Sequence, residues 1–407
     1  MKKKFLIDVL LNIISTALPL MILQIFAMPV IAKQEGPESY GLIVVIISIL
    51  TLISFPLGNV LNNIRLLKNN KCKESNSNAD FAPILLGSSF YSIIFFITIS
   101  LIFFENLSTW NIVLQVVIVL GLLIKDYWIV AYRINLNFKG ILVNNILLAL
   151  GYLVGLGLYY IIGYWEVIYL VGLVLSVVYI LTTTEIWKEP LKFSSEFKST
   201  FFDFLILYFS GILKNVLTYA DKILLLPLLG PVNVAIYYSA TIIGKLLSMI
   251  FGPINSVILS YLTKIDRITN KVFLKGFIMS LTVTVIGYFF TIIASPFILY
   301  ALYPDWAKES LQLIYVTTAA TYITILSSLF HPFNLRYNKL KWQIYMGVSN
   351  IIFYIFIAIV LTHLYALMGF AIAVLISKIY IFIFQLLVFI LNKPLSSEKN
   401  GSFLLES

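Results

Sequence analysis

The sequence predicts an all-α integral membrane protein of about 12 transmembrane helices, built as two halves that repeat with the same orientation. Three observations predict it: continuous apolar runs of spanning length, basic residues confined to alternate gaps, and landmarks recurring at one offset. The 407 residues are 60% hydrophobic and 11% charged, with mean hydropathy +0.98. A soluble domain is about half apolar and a quarter charged. The runs lack the alternation of a membrane β-barrel, so helices are the remaining way to satisfy the backbone in lipid.

A crossing needs roughly 20 apolar residues. The expected spans are 6–31, 40–62, 83–104, 110–131, 141–162, 165–184, 201–228, 233–261, 272–300, 310–330, 342–362 and 366–391, followed by a polar tail at 392–407. Met1 and Lys2 to Lys4 before an apolar run resemble a secretory signal. The run continues to about Ala32 without a small-residue cleavage site, so it is taken as the first span.

Charge placement orients the chain. Twenty-one of the 28 basic residues fall in every second gap, including Arg65, Lys68, Arg133, Lys188, Lys192, Arg267 and Arg336. The opposite gaps hold Lys33 and Lys308. Under the positive-inside rule both termini are cytoplasmic, and a cytoplasmic (inner) membrane location is expected. The formal charge of +10 then reflects loops beside anionic lipid, and nucleic acid is not an expected partner. Trp110, Tyr164, Trp165 and Trp306 are expected as outer-edge aromatic anchors, with Trp128, Trp187 and Trp342 nearer the inner edge. Cys72 is the only cysteine, which excludes an intrachain disulfide and a cysteine-based metal site.

The repeat is visible as Tyr40 and Tyr237, Pro56 and Pro253, Val60 and Val257, Lys139 and Arg336, and Gly172 and Gly369, each 197 apart. Six spans separate the copies, an even number, so the pseudo-two-fold axis runs along the membrane normal. The expected lobes are 1–190 and 191–391, joined by the polar gap at 185–200.

Polar residues on one helical face mark candidate sites. Span eight carries Tyr238, Thr241, Lys245, Ser248, Gly252 and Asn255; span seven carries Tyr208, Gly211, Asn215, Thr218 and Lys222, with Lys214 and Asp221 beside them. Further stripes run through Asp8, Asn12, Ser15 and Pro19, through Ser48 and Thr51, and through Thr317, Thr321, Thr324, Ser328 and His331. Helix packing also favours Gly, Ser and Thr, so a wet interior and close packing are both open readings of these stripes.

Five lysines depart from the gap rule: Lys125, Lys214, Lys222, Lys245 and Lys378. A charge at the bilayer centre costs about 2.5–3.5 kcal/mol on insertion scales. Lys214, Lys245 and Lys378 lie deepest and call for water, a counter-ion or an anionic ligand. Lys125 and Lys222 lie nearer span ends, where snorkelling would relieve them. Asp8, Asp126 and Asp221 are the carboxylates read as intramembrane, and they are the candidates for proton or sodium coupling. Asp221 with Lys222 reads as an ion pair with another span, and Asp126 either bonds Arg133, two turns on, or serves as a proton site. No Walker A sequence, catalytic dyad or metal spacing is present, so neither an enzyme nor direct ATP hydrolysis is indicated.

Three stretches carry a resemblance: Pro29-Val30-Ile31-Ala32 leading to Tyr40-Gly41; Asp221-Lys222-Ile223 leading through Leu229-Gly230 to Tyr237-Tyr238-Ser239-Ala240; and Leu361 to Ala373. They resemble the polysaccharide flippase branch of the multidrug/oligosaccharidyl-lipid/polysaccharide exporter superfamily, the Wzx-type transporters of O-antigen and capsule repeat units. The resemblance implies two six-helix lobes around a central cavity. It implies an alternating-access flippase for undecaprenyl-pyrophosphate-linked oligosaccharide in cell-surface polysaccharide biosynthesis. Implied partners are that lipid-linked substrate, membrane lipid, a polysaccharide polymerase and a chain-length regulator. Lys245, Lys214, Lys378, Lys222, Tyr238, Thr241, Ser248 and Asn215 are then the expected substrate-binding set, with lysines as point charges for pyrophosphate. The alternatives are a multidrug cation exporter of the same superfamily and a membrane polysaccharide polymerase or ligase. The first calls for cavity carboxylates, and the second for a large outer loop that the short outer gaps do not provide.

Overall fold

The computed structural model describes residues 2–75, 80–104, 108–248, 270–337 and 341–392, and among these there is no β-strand. The helices are α1 (Lys2–Ile22), α2 (Met28–Ser75), α3 (Phe81–Phe103), α4 (Thr109–Trp128), α5 (Val130–Ile134), α6 (Phe138–Ile162), α7 (Glu166–Thr183), α8 (Phe197–Leu229), α9 (Pro231–Ser248), α10 (Asn270–Leu302), α11 (Ala307–Tyr337) and α12 (Lys341–Asn392). A π-helical turn, Leu23–Ala27, joins α1 to α2. Eight stretches among the described residues are long and apolar enough to cross a membrane, nine if the bent α8 counts as one crossing. The chain is therefore a multi-pass membrane protein.

Two of those stretches are far longer than one crossing. Ile13–Lys68 has 56 residues and Ile344–Leu391 has 48, whereas about 20 suffice. Each contains a break. In the first, Gly36 adopts φ 74° and ψ 172°, a conformation open to glycine because it lacks a Cβ. Pro37 follows, its fixed φ suited to a helix start. In the second, Tyr365 and Ala366 leave helical geometry, Ala366 at φ 48°. The α8–α9 junction repeats the first device: Gly230 sits at φ 80° and Pro231 opens α9. The two Gly–Pro elbows thus fall at matching places in the two halves of the sequence repeat, a landmark the offset of 197 does not capture.

By contacts the chain divides into two compact units, Met1–Leu224 and Leu225–Ser407. Within the first, α6 lies against α7 through glycines. A Cβ on Gly151 would come within 2.5 Å of Gly172 Cα, and one on Gly155 within 2.7 Å of Ile168 Cα. Such close backbone approach is the usual gain from small residues between membrane helices. Polar side chains add specificity. Asn145 donates to Ser15 Oγ at 2.7 Å, and Ser15 donates to the Ile141 carbonyl at 3.2 Å. Asn144 and Ser176 bond reciprocally between α6 and α7. Helix α8 runs antiparallel to α2: Lys68 pairs with Asp203 at 2.7 Å, and a Cβ on Gly211 would meet Val60 at 3.6 Å.

The polar segment after α7 is pinned to the first unit. Arg65 pairs with Glu189 at 2.6 Å, and Tyr127 donates to the other Glu189 oxygen at 2.9 Å. Asp80 accepts from the Ser194 backbone N–H and hydroxyl. Burial pushes the Glu189 carboxyl above its ordinary range, against the opposing pull of Arg65 and Tyr127.

In the second unit α9 packs on α11. Trp306 Nε1 donates to Ser239 Oγ at 2.8 Å, Ser310 to the Ile236 carbonyl at 3.0 Å and Thr317 to the Ala240 carbonyl at 3.2 Å. Trp306 and Trp165 are therefore buried packing residues rather than the surface anchors expected from sequence. Trp110 and Trp187 are the exposed ones.

Candidate transport site

The expected residues separate into two environments. In the first unit the charges find partners on their own helices. Lys125 pairs with Asp126 at 2.9 Å, and Lys222 pairs with Asp221. Asp126 was expected to reach Arg133, but Arg133 donates instead to Asn62 and Asn63. Asn62 in turn donates to the Asp126 carbonyl at 2.8 Å. The close approach of α4 to α2 that permits this passes over Gly58, whose Cβ would lie 2.7 Å from Asp126 Cβ. Lys222 does not snorkel: it is 2% exposed. Its ammonium folds back on the neighbouring carboxylate, although adjacent helical side chains ordinarily diverge.

These pairs are neighbours of one hydroxyl. Tyr219 on α8 lies within electrostatic range of both Asp126 and Asp221. Two of the three candidate coupling carboxylates are thus brought around one tyrosine, from spans the sequence places in different halves. Asp8 lies in α1, with its side chain outside the described residues. Asn215 donates to the Gly211 carbonyl one turn earlier. Lys214 lies in the same helix, and its side chain is likewise outside the description.

In the second unit Tyr238 and Lys245 share a face of α9, as their spacing predicts. The Lys245 ammonium sits 5.4 Å from the Tyr238 ring centroid, within the range of a cation–π contact. Both Tyr238 and Thr241 are 6% exposed, and Lys245 is half-buried. Thr241 and Ser248 donate to backbone carbonyls three residues back, so these hydroxyls are occupied locally. Gly252 and Asn255 lie outside the described residues. Lys378 is half-buried on α12; its neighbour Ser377 donates to Asn350 at 3.0 Å. From Leu225 to Asn392 the sequence contains only three carboxylates, Asp266, Asp305 and Glu309. Asp305 and Glu309 stand at the entry to α11. The apolar spans of this unit are accordingly cationic in composition.

One buried acid escaped the sequence reading. Glu166, the first residue of α7, is 0% exposed and accepts from Gln115 Nε2 at 2.8 Å. Nearby, Tyr159 donates to Glu35 at 2.7 Å. Among the described residues no group of three or more His, Cys, Asp or Glu could hold a metal ion.

No protein-family model and no curated protein matches the chain. Solved structures do. The chain is similar to the lipid II flippase MurJ in its inward closed conformation, at 15% identity and TM-score 0.72, over 93% of this chain and 87% of that one. It is also similar to a multidrug resistance MATE family transporter of the MOP superfamily. The inward-facing form gives 14% identity and TM-score 0.65, over 92% and 97% of the two chains; the outward-facing form gives 12% and 0.63, over 93% and 95%. At these identities the likeness establishes the fold alone, shared with these solved structures over nearly the whole chain.

Proposed function

We propose that the protein is a flippase that moves polyprenyl-pyrophosphate-linked oligosaccharide from the cytoplasmic to the outer leaflet by alternating access. The observation that carries this reading is the fold shared with a lipid II flippase, in a chain whose second unit sets lysines in its spans and no carboxylate deep within them. An anionic headgroup suits that composition, and Lys245 and Lys378, with Lys214 from α8 in the first unit, are the residues assigned to the pyrophosphate. Tyr238, Thr241, Ser248 and Asn215 line the same helices and are assigned to polar contacts with the substrate. The twelve crossings follow if the bent α8 counts as one crossing, Ile13–Lys68 and Ile344–Leu391 each cross twice at their breaks, and α9 completes one further span. The six-helix lobes of the sequence repeat, 1–190 and 191–391, then enclose the cavity, with both termini cytoplasmic.

Lys222 enters this scheme differently. Held by Asp221, it serves as a structural charge unless the pair opens during transport. Energetically, an inside-negative potential favours outward movement of anionic charge by about 2.3 kcal/mol per charge per 100 mV. Asp126 and Asp221 around Tyr219, with Asp8, are the carboxylates assigned to any coupling ion. O-antigen or capsule repeat units are the proposed cargo class, with the polymerase and chain-length regulator acting after release in the outer leaflet.

A multidrug exporter is the second reading, favoured by the MATE neighbours. Reconstitution distinguishes them. Vesicles containing the protein should move a fluorescent polyprenyl-pyrophosphate sugar between leaflets. Export of organic cations with no movement of the lipid-linked sugar would reverse the assignment.

A further inference from the structure

The end of the first unit remote from its basic loops contains a polar group that packing leaves unfinished. Glu166 and Gln115 are both 0% exposed. One Glu166 oxygen accepts from the Gln115 amide nitrogen. The second Glu166 oxygen and the Gln115 carbonyl oxygen are both buried acceptors without a hydrogen-bond partner in the structure. A carboxylate in this position would carry a full charge with one side-chain donor, helped only by its own backbone N–H at the start of α7, and no Lys or Arg among the described residues pairs with it. Burying an unpaired charge costs far more than burying a hydrogen-bonded neutral acid.

The surroundings sharpen the conflict. The titratable groups acting on Glu166 are Glu35 from α2 and Tyr159 from α6; α4 offers the neutral amide of Gln115. Glu35 is part-exposed and receives the Tyr159 hydroxyl. A second carboxyl so near opposes a full charge on the buried Glu166. Two spare acceptor oxygens are too few to complete the coordination shell of a sodium ion, but a proton needs only one donor oxygen and one acceptor. A proton on Glu166 removes the unpaired charge and gives the carboxyl a donor of its own, while Oε1 keeps the Gln115 amide.

We propose that Glu166 and Gln115 form a monovalent-cation site whose occupant is a proton. It is separate from Asp126, Asp221 and Asp8. The site stands between α4 and α7, so gain or loss of the proton changes how tightly those helices join. Its meaning for coupling rests on the transport reading, but its existence does not, and its test requires no transported substrate.

The full-length protein is reconstituted in lipid nanodiscs, and infrared difference spectra are recorded across an acid-to-alkaline titration. A protonated-carboxyl band is expected in the wild type, absent in Glu166→Gln and retained in Glu35→Gln. Gln115→Leu should move that band, because its hydrogen-bond partner is gone. Since glutamine mimics the neutral acid, Glu166→Gln should melt no lower than the wild type at neutral pH. A band that persists in Glu166→Gln, or one indifferent to Gln115→Leu, would place the proton elsewhere and overturn the proposal. Sodium chloride titrated against choline chloride at fixed pH gives the other arm, read by fluorescence of the buried Trp165 beside the site, with Trp165→Phe as control. A saturable sodium response abolished by Glu166→Gln would overturn the proton as occupant.

Discussion

The two units handle charge in opposite ways. In the first, lysines and arginines meet partners from the same unit: Arg65 with Glu189, Lys68 with Asp203, Lys125 with Asp126 and Lys222 with Asp221. In the second, Lys245 lies against an aromatic ring in helices almost devoid of acids. Charges neutralised within a unit brace it. Lysines in spans with few acids suit an anionic ligand. The first arrangement should therefore matter to folding, and the second to transport.

The largest test of that contrast is neutralisation in the second unit. Lys245→Gln and Lys378→Gln are expected to lower flipping of a lipid-linked sugar by about tenfold or more, the worth of one charge-assisted hydrogen bond, with little change in melting temperature. Flipping unchanged in the double variant would remove the contrast. Next is the buried pair of the first unit. Arg65→Ala leaves the Glu189 carboxyl without its cation and should cost about 3–5 kcal/mol of stability in detergent denaturation. A loss near that of an exposed pair would show that the strap after α7 is loosely held.

A smaller effect is expected at the α6–α7 crossing. Gly151→Val must displace Gly172 backbone, at about 1–3 kcal/mol, as for other overpacked cores. Thermal melting reads it, and transport at low temperature should survive.

The smallest concerns pH. Because burial holds the Glu189 carboxyl above its unfolded value, the folded protein binds that proton more tightly than the unfolded chain. Stability from this group is full below the ordinary glutamate range and falls as pH rises through the raised value. Melting midpoints of wild type and Glu189→Gln should therefore diverge in that window, the wild type losing ground as pH rises. The opposite slope would mean that Arg65 dominates burial.

Much of the architecture is legible in the sequence because lipid imposes a coarse rule, long apolar runs with charges between them. The helices found at α3, α4, α6 and α7 follow it closely. What is not legible is which polar groups meet. Lys222 reads as a snorkelling residue from its place near a span end, yet it faces the unit interior, and facing is decided by tertiary packing. Glu166, following Trp165 at the start of a run, is not singled out by any sequence pattern. Its burial depends on Gly151 and Gly155 letting α7 close onto α6, a pairing of distant segments. The available signal was Gln115, an amide inside an otherwise apolar run, where a polar side chain requires a partner.

The elbows at Gly36–Pro37 and Gly230–Pro231 bear on how the chain enters the bilayer. Each reverses or redirects the helix with scarcely a residue outside helical geometry. The flanks differ: Lys33, Gln34, Glu35 and Glu38 surround the first elbow, whereas Leu229 and Val232 flank the second. At Gly230–Pro231 neither apolar arm has a polar flank to hold it at the surface while the other inserts, so those two arms should leave the insertion machinery together, as a preformed hairpin. A polar spacer inserted at Gly230 would then uncouple their entry, while one at Gly36 would only lengthen a flank that is already polar.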